Sequence, residues 1–96
     1  MTLDELLRQR REEIYSIAQK HGASNIRVFG SVARGTATAE SDVDFLVEAG
    51  PQTSSWFPAG LILDLEELLG CRVEVVTDNG LNPYIRQPVL EEAVPL

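Results

Sequence analysis

Two carboxylates, Asp42 and Asp44, stand one residue apart at the head of a short apolar run, Val43-Asp44-Phe45-Leu46-Val47. A run of that length and pattern reads as a strand. Alternate side chains of a strand share a face, so both acids point the same way. Like charges so placed repel one another unless a cation lies between them. A divalent ion that takes hard oxygen ligands, Mg²⁺ above all, meets that need. Upstream of the pair lies Gly30-Ser31-Val32-Ala33-Arg34-Gly35, a tight turn that ends the short strand Ile26-Arg27-Val28-Phe29. Backbone donors at such a turn suit an anion such as a phosphate. Metal and phosphate together suggest phosphoryl or nucleotidyl transfer.

Size and charge narrow the field. The chain has 96 residues, enough for one domain over 1–96 with one small core. Its net charge is -7, from 15 acids against 8 bases. That argues against binding long stretches of nucleic acid directly, which needs a basic surface. A nucleotide is not excluded, because a bound metal offsets its charge. Cys71 is the only cysteine, so no internal disulfide can form and a reduced, cytoplasmic setting is expected. Asp4 and Glu5 near the start argue against a signal peptide. No apolar run nears the roughly 20 residues that cross a bilayer, so no membrane role is expected.

Leu3, Leu6, Leu7, Ile14, Ile17 and Ala18 recur at helical spacing, which predicts one helix over 3–21, capped by Thr2 and stopped at Gly22. His21 falls in its last turn, where a cation suits the helix dipole better than a ligand role. A second helix is predicted from Leu61 to Leu69, stopped by Gly70, and a third strand over Arg72-Val73-Glu74-Val75-Val76. Asn82-Pro83 opens a last helix with Tyr84, Ile85, Val89 and Leu90 as its apolar stripe. Pro88 should kink or split that helix. The order α-β-(turn)-β-α-β-α gives an α/β (α+β) domain, with helices packed on a mixed sheet of three strands or slightly more. If Val73 and Val75 pack into the core, Glu74 faces the other side. It is then a candidate third metal ligand, provided its strand lies beside Val43–Val47. Trp56, Phe57, Tyr84 and Ile85 either close the small core or line a protein-binding face beside the site.

Gly30-Ser31, ten residues, and then Asp42-Val43-Asp44 resembles the signature of the DNA polymerase beta-type nucleotidyltransferase superfamily. With the chain's small size and its flanking segments, including Leu65-Glu66-Glu67-Leu68-Leu69-Gly70 and Val73-Glu74-Val75-Val76-Thr77, it looks like the minimal branch. Members of that branch resemble the antitoxin partners of HEPN ribonuclease toxins. The resemblance implies a polymerase beta-like palm. It implies that Gly30 and Ser31 hold the β- and γ-phosphates of ATP, and that Asp42 and Asp44 ligate Mg²⁺. It places Glu74 as the third carboxylate, which acts on the attacking hydroxyl at a second Mg²⁺. Arg34 assists the phosphates or forms a structural salt bridge. The family's third acid is usually Asp, so Glu74 is one methylene longer than expected, and catalytic geometry tolerates little displacement.

A polymerase is not expected, since an acidic chain of 96 residues leaves little room for domains that hold template and primer. The resemblance implies an antitoxin that transfers AMP from ATP to a hydroxyl, a tyrosine, of a HEPN toxin with which it forms a hetero-oligomer. A non-catalytic antitoxin that masks the toxin is the first alternative, and a small-molecule nucleotidyltransferase the second. The complete set Asp42, Asp44 and Glu74 favours catalysis over masking. Relatives that modify small molecules usually carry an extra domain for the acceptor.

Overall fold

The computed structural model describes residues 2–96. Helix α1 spans Leu3–Gln9 and begins where the Thr2 side chain accepts the Glu5 N–H at 3.1 Å. Helix α2 follows over Arg11–Lys20, so the expected single helix is broken at Arg10, whose backbone leaves the helical region. The reason is visible in the burial. Residues 8–13 are all charged or amide side chains in solvent, and only Leu7 and Ile14 on either side are buried. No core contact holds the middle of the segment straight.

Strand β1 (Ala23–Phe29) leads into a short helix α3 (Gly30–Arg34), then strand β2 (Val43–Ala49), helix α4 (Ala59–Leu69) and strand β3 (Val73–Thr77). A 3-10 turn (Asp78–Gly80), helix α5 (Pro83–Glu92) and a two-residue strand β4 (Val94–Pro95) complete the chain. The sheet order is β3-β2-β1-β4. Strands β2 and β3 run parallel because α4 carries the chain back between them, while β1 is antiparallel to both β2 and β4. The fourth strand lies within the range expected for the sheet.

Period-2 alternation divides the sheet into two faces. Val43, Phe45, Val47, Val73 and Val75 join Val28 in the main core, under Leu7 and Ile14 of α1 and α2 and Leu61, Leu65 and Leu69 of α4. Leu46, between two of those core residues, faces the other way and packs with Leu81 and with Val89 of α5. Two helices and α4 therefore cover one face, and α5 alone lies on the other.

Pro88 does not split α5, which runs unbroken over Pro83–Glu92. Every residue from Asn82 to Pro88 is exposed, so the carbonyl that Pro88 leaves without its usual donor meets water and the helix runs on. Tyr84 and Ile85 do not form an apolar stripe against the core: they are 91% and 51% exposed, and Trp56 is 86% exposed. Phe57 does pack against the main core.

His21 is buried at the end of α2, with Nδ1 hydrogen-bonded to Ser54 Oγ at 2.6 Å and Nε2 to Asp64 Oδ2 at 2.7 Å. It fastens the loop after β2 and the side of α4 to α2, a satisfied structural histidine rather than a ligand.

Candidate active site

The site grows from three neighbouring strands. Asp44 is the register partner of Phe29 on β1 and of Glu74 on β3. Phe29, Asp44 and Glu74 thus form one row across the sheet, on the face away from the main core. The condition set by the sequence, that the strand of Glu74 lie beside Val43–Val47, is met. Glu74 is exposed and Asp44 half-buried.

Gly30 follows Phe29 at the end of this row with φ +72°. A Cβ added there would overlap Asp44 Oδ2. Glycine is required twice, by the left-handed backbone and by the close approach of the carboxylate. Gly30 also opens α3, Ser31 follows in its first turn, and Gly35 closes it in the left-handed region at φ +76°. The Thr36 N–H donates to the Ser31 carbonyl at 2.9 Å, which folds the end of the turn back onto its start. Between turn and strand, Thr38 N–H donates to Ser41 Oγ at 2.8 Å and Ser41 N–H to the Thr38 carbonyl at 3.1 Å. That small turn delivers Asp42, exposed, to the head of β2.

Asp44 is disfavoured as an anion. Burial, then the adjacent Glu74 carboxyl and the Asp42 charge, raise its pKa from 3.8 to about 6, with Arg34 pulling in the opposite direction. Arg34 itself donates from Nη1 to Glu92 Oε1 of α5 at 2.6 Å. The salt bridge is therefore real, and it joins the turn to α5. Sequence reasoning missed Glu92, because its partner is 58 residues away and nothing local marks it.

The fold thus brings Asp44, Glu74 and Gly30 into direct proximity. Asp42 is near enough for its charge to act on Asp44, yet the acids do not close into a cage. Among the described residues no three Asp, Glu, His or Cys side chains form a metal-holding group. Tyr84, Ile85 and Trp56, expected beside the site if they served a partner, belong to other regions. Tyr84 and Ile85 occupy the start of α5, whose far end carries Glu92, and Trp56 lies on the loop that follows the C-terminal end of β2.

The family model of the nucleotidyltransferase domain matches residues 7–96. The chain belongs to the nucleotidyltransferase family. This nucleotidyltransferase is 41% identical over 91 residues to the protein adenylyltransferase MntA of Thermococcus cleftensis, over 86% of its own length and 92% of the relative's. A solved structure described as a minimal nucleotidyltransferase aligns with a TM-score of 0.84 at 49% identity, covering 97% of this chain and 95% of that one. The crystal structure of a toxin-antitoxin with AMP-PNP aligns at a TM-score of 0.74 and 22% identity, over 88% of this chain and 69% of that one, and shares the fold. The small α+β nucleotidyltransferase domain expected from the sequence is the fold this chain has. No helix among the described residues is long and apolar enough to cross a membrane.

Proposed function

We propose that this nucleotidyltransferase is an antitoxin that transfers AMP from ATP, with Mg²⁺, to a tyrosine hydroxyl of a HEPN ribonuclease toxin. The observation that carries the reading is the Asp44–Glu74 pair, set in one row and flanked by a glycine whose missing side chain leaves room at the Asp44 carboxylate. The adenylyltransferase MntA among its relatives supports the reaction class, and the toxin-antitoxin that shares its fold supports the partner. The cytoplasm is the compartment where ATP and a ribonuclease would meet this chain.

The residues present fit a hard divalent cation. They offer carboxylate oxygens alone, and Asp44 is held at about 6 by burial and its acidic neighbours, a cost that a bound cation would remove. Asp42, Asp44 and Glu74 would hold Mg²⁺. The ion, when bound, supplies charge for the reacting phosphate and raises the reactivity of the attacking oxygen.

The chain's own groups do the rest. Gly30 and Ser31 present backbone N–H groups and a hydroxyl to the β- and γ-phosphates, and Arg34 stands close to them. The acceptor oxygen forms its bond to the α-phosphorus while the α–β phosphoanhydride bond breaks. Pyrophosphate leaves with the electron pair, and the hydroxyl proton passes to Glu74. Since Glu74 and Asp42 are exposed, an acceptor carried by another protein can reach them.

The test mixes the purified chain, ATP and Mg²⁺ with a HEPN toxin and reads the toxin's intact mass. One AMP residue per modified hydroxyl is expected, and none with the Asp42→Ala/Asp44→Ala double variant. A toxin whose ribonuclease activity is blocked while its mass stays unchanged would replace catalysis by masking.

A further inference from the structure

The sheet ends at β3, the strand that carries Glu74. The Val43 N–H donates to the Arg72 carbonyl at 3.0 Å. In a parallel ladder, successive residues turn their backbone groups alternately toward and away from the neighbouring strand. Arg72, Glu74 and Val76 therefore face β2, and Val73, Val75 and Thr77 turn their backbone groups outward. The first outward donor, Val73 N–H, is occupied by Glu66 Oε2 of α4 at 3.1 Å. Among the described residues no hydrogen bond reaches the outward N–H or C=O of Val75. The strand is well anchored all the same, because the side chains of Val73 and Val75 are buried in the main core. A rigid, unpaired edge therefore runs directly beside Glu74.

An open edge of this kind takes up an extended peptide as an added strand. The added strand would lie about 4.8 Å from β3, and its residue opposite Glu74 would project on the same face as Glu74 and Asp44. Backbone pairing would thus set the acceptor side chain in the row of acids without any pocket for it. The row also selects by length. From one strand beyond Glu74, a tyrosine lifts its hydroxyl to the level of the Glu74 carboxylate, whereas a serine hydroxyl stays close to the backbone.

We infer that the β3 edge receives an extended, tyrosine-bearing segment of the acceptor protein as an added strand, paired through Val75. The inference rests on the adenylyl-transfer reading above and names how that site would recognise its acceptor.

The probe is the synthetic peptide Thr-Val-Thr-Tyr-Thr-Val-Thr, beside the same peptide with alternate backbone nitrogens methylated and a third with Ser in place of Tyr. Two preparations of the full chain are compared. One is wild type. The other carries N-methyl-valine at Val75, made by ligation at the Gly70–Cys71 junction. The methyl group removes an outward donor and leaves the β2–β3 ladder intact, so Mg²⁺·ATP affinity should equal that of wild type.

The plain peptide should slow hydrogen exchange at the Val75 amide by about tenfold or more and receive AMP on its tyrosine. The methylated peptide should do neither, and the serine peptide should protect Val75 without being modified. The N-methyl-Val75 protein should modify the plain peptide with KM raised about tenfold and kcat unchanged. An unaltered Val75 exchange rate at millimolar peptide, or equal KM for both proteins, overturns the inference. So does protection of Val75 without peptide as protein concentration rises, which would mean that two copies pair through this edge. Protection by peptide with no AMP on any peptide or toxin keeps the added strand and removes the transfer reading. AMP transfer to a toxin with Val75 unprotected does the reverse.

Discussion

Asp44 keeps its proton over a range where a carboxylate has ordinarily lost it, because burial and then Glu74 and Asp42 hold it at about 6 against 3.8. Between those values the unfolded chain has released a proton that the folded protein retains, so stability falls as pH rises through the window and levels off above it. The metal-free Asp44→Asn variant lacks this slope. Its melting temperature should rise relative to wild type from pH 4 to above 6, and Mg²⁺ should raise only the wild type. The same variant should lower AMP transfer on the order of 10²–10³-fold, measured as radiolabel moved from ATP. Gly30→Ala should destabilise by about 1–2 kcal/mol through its left-handed backbone alone. Because the added methyl also displaces Asp44, the variant should lose the stabilisation by Mg²⁺·ATP in a thermal shift assay. At this scale placement was legible: the acid spacing put Asp42 and Asp44 at the head of β2, the turn put Gly30 before them, and alternation put Glu74 on the face of Asp44. Glu92 was not legible, since an ion pair across 58 residues leaves no local trace.

Elements are where local pattern and tertiary context part. Helical spacing located α1, α2 and α4, but the bend at Arg10 has no glycine or proline to announce it. Strand β4 is two residues long and contains Pro95, which argues against a strand except at an edge. Its pairing with β1 comes from the end of the chain lying against Ile26 and Tyr15: Leu96 N–H donates to the Ile26 carbonyl at 3.2 Å, and Tyr15 OH donates to the Leu96 carbonyl at 2.7 Å. Pro88→Ala should restore a helical hydrogen bond in α5 and stabilise by about 1–3 kcal/mol, read from the urea midpoint. The loop after β2 hangs on His21. Ser54→Ala leaves the buried Nδ1 without its partner and should cost about 1–3 kcal/mol. Asp64 is held below the ordinary carboxylate range, first by its hydrogen bond to His21 and also by Lys20 and His21 charge. That contribution is present at neutral pH and is lost as pH falls through the lowered value. The stability difference between wild type and Asp64→Ala should therefore shrink between pH 7 and pH 3 in chemical denaturation.

For the whole molecule, alternation in β2 and β3 was enough to predict a sheet with acids on one face and a core on the other. It could not say that α5 would lie alone on the acid face, because the apolar residues of α5 fit either side equally well. The two faces are unequal in what holds them. Among the described residues, fourteen buried ones make the main core, and three make the patch of Leu46, Leu81 and Val89 beneath α5. The far end of α5 is fixed by the Arg34–Glu92 bridge and the pairing of β4, whereas its first six residues, Pro83 to Pro88, are all exposed. The helix is clamped firmly at the acid end and held more lightly at the other, where Leu81, just ahead of it, is the buried anchor. Such a segment opens at a small fraction of the global unfolding energy. Native-state hydrogen exchange should show the amides of residues 84–87 exchanging far faster than those of β2, with Glu92→Ala loosening the clamped end as well. Each opening would bare Leu46 and slacken the tie on Arg34, so the breathing of one helix would set how long the Gly30–Gly35 turn keeps its arginine in place.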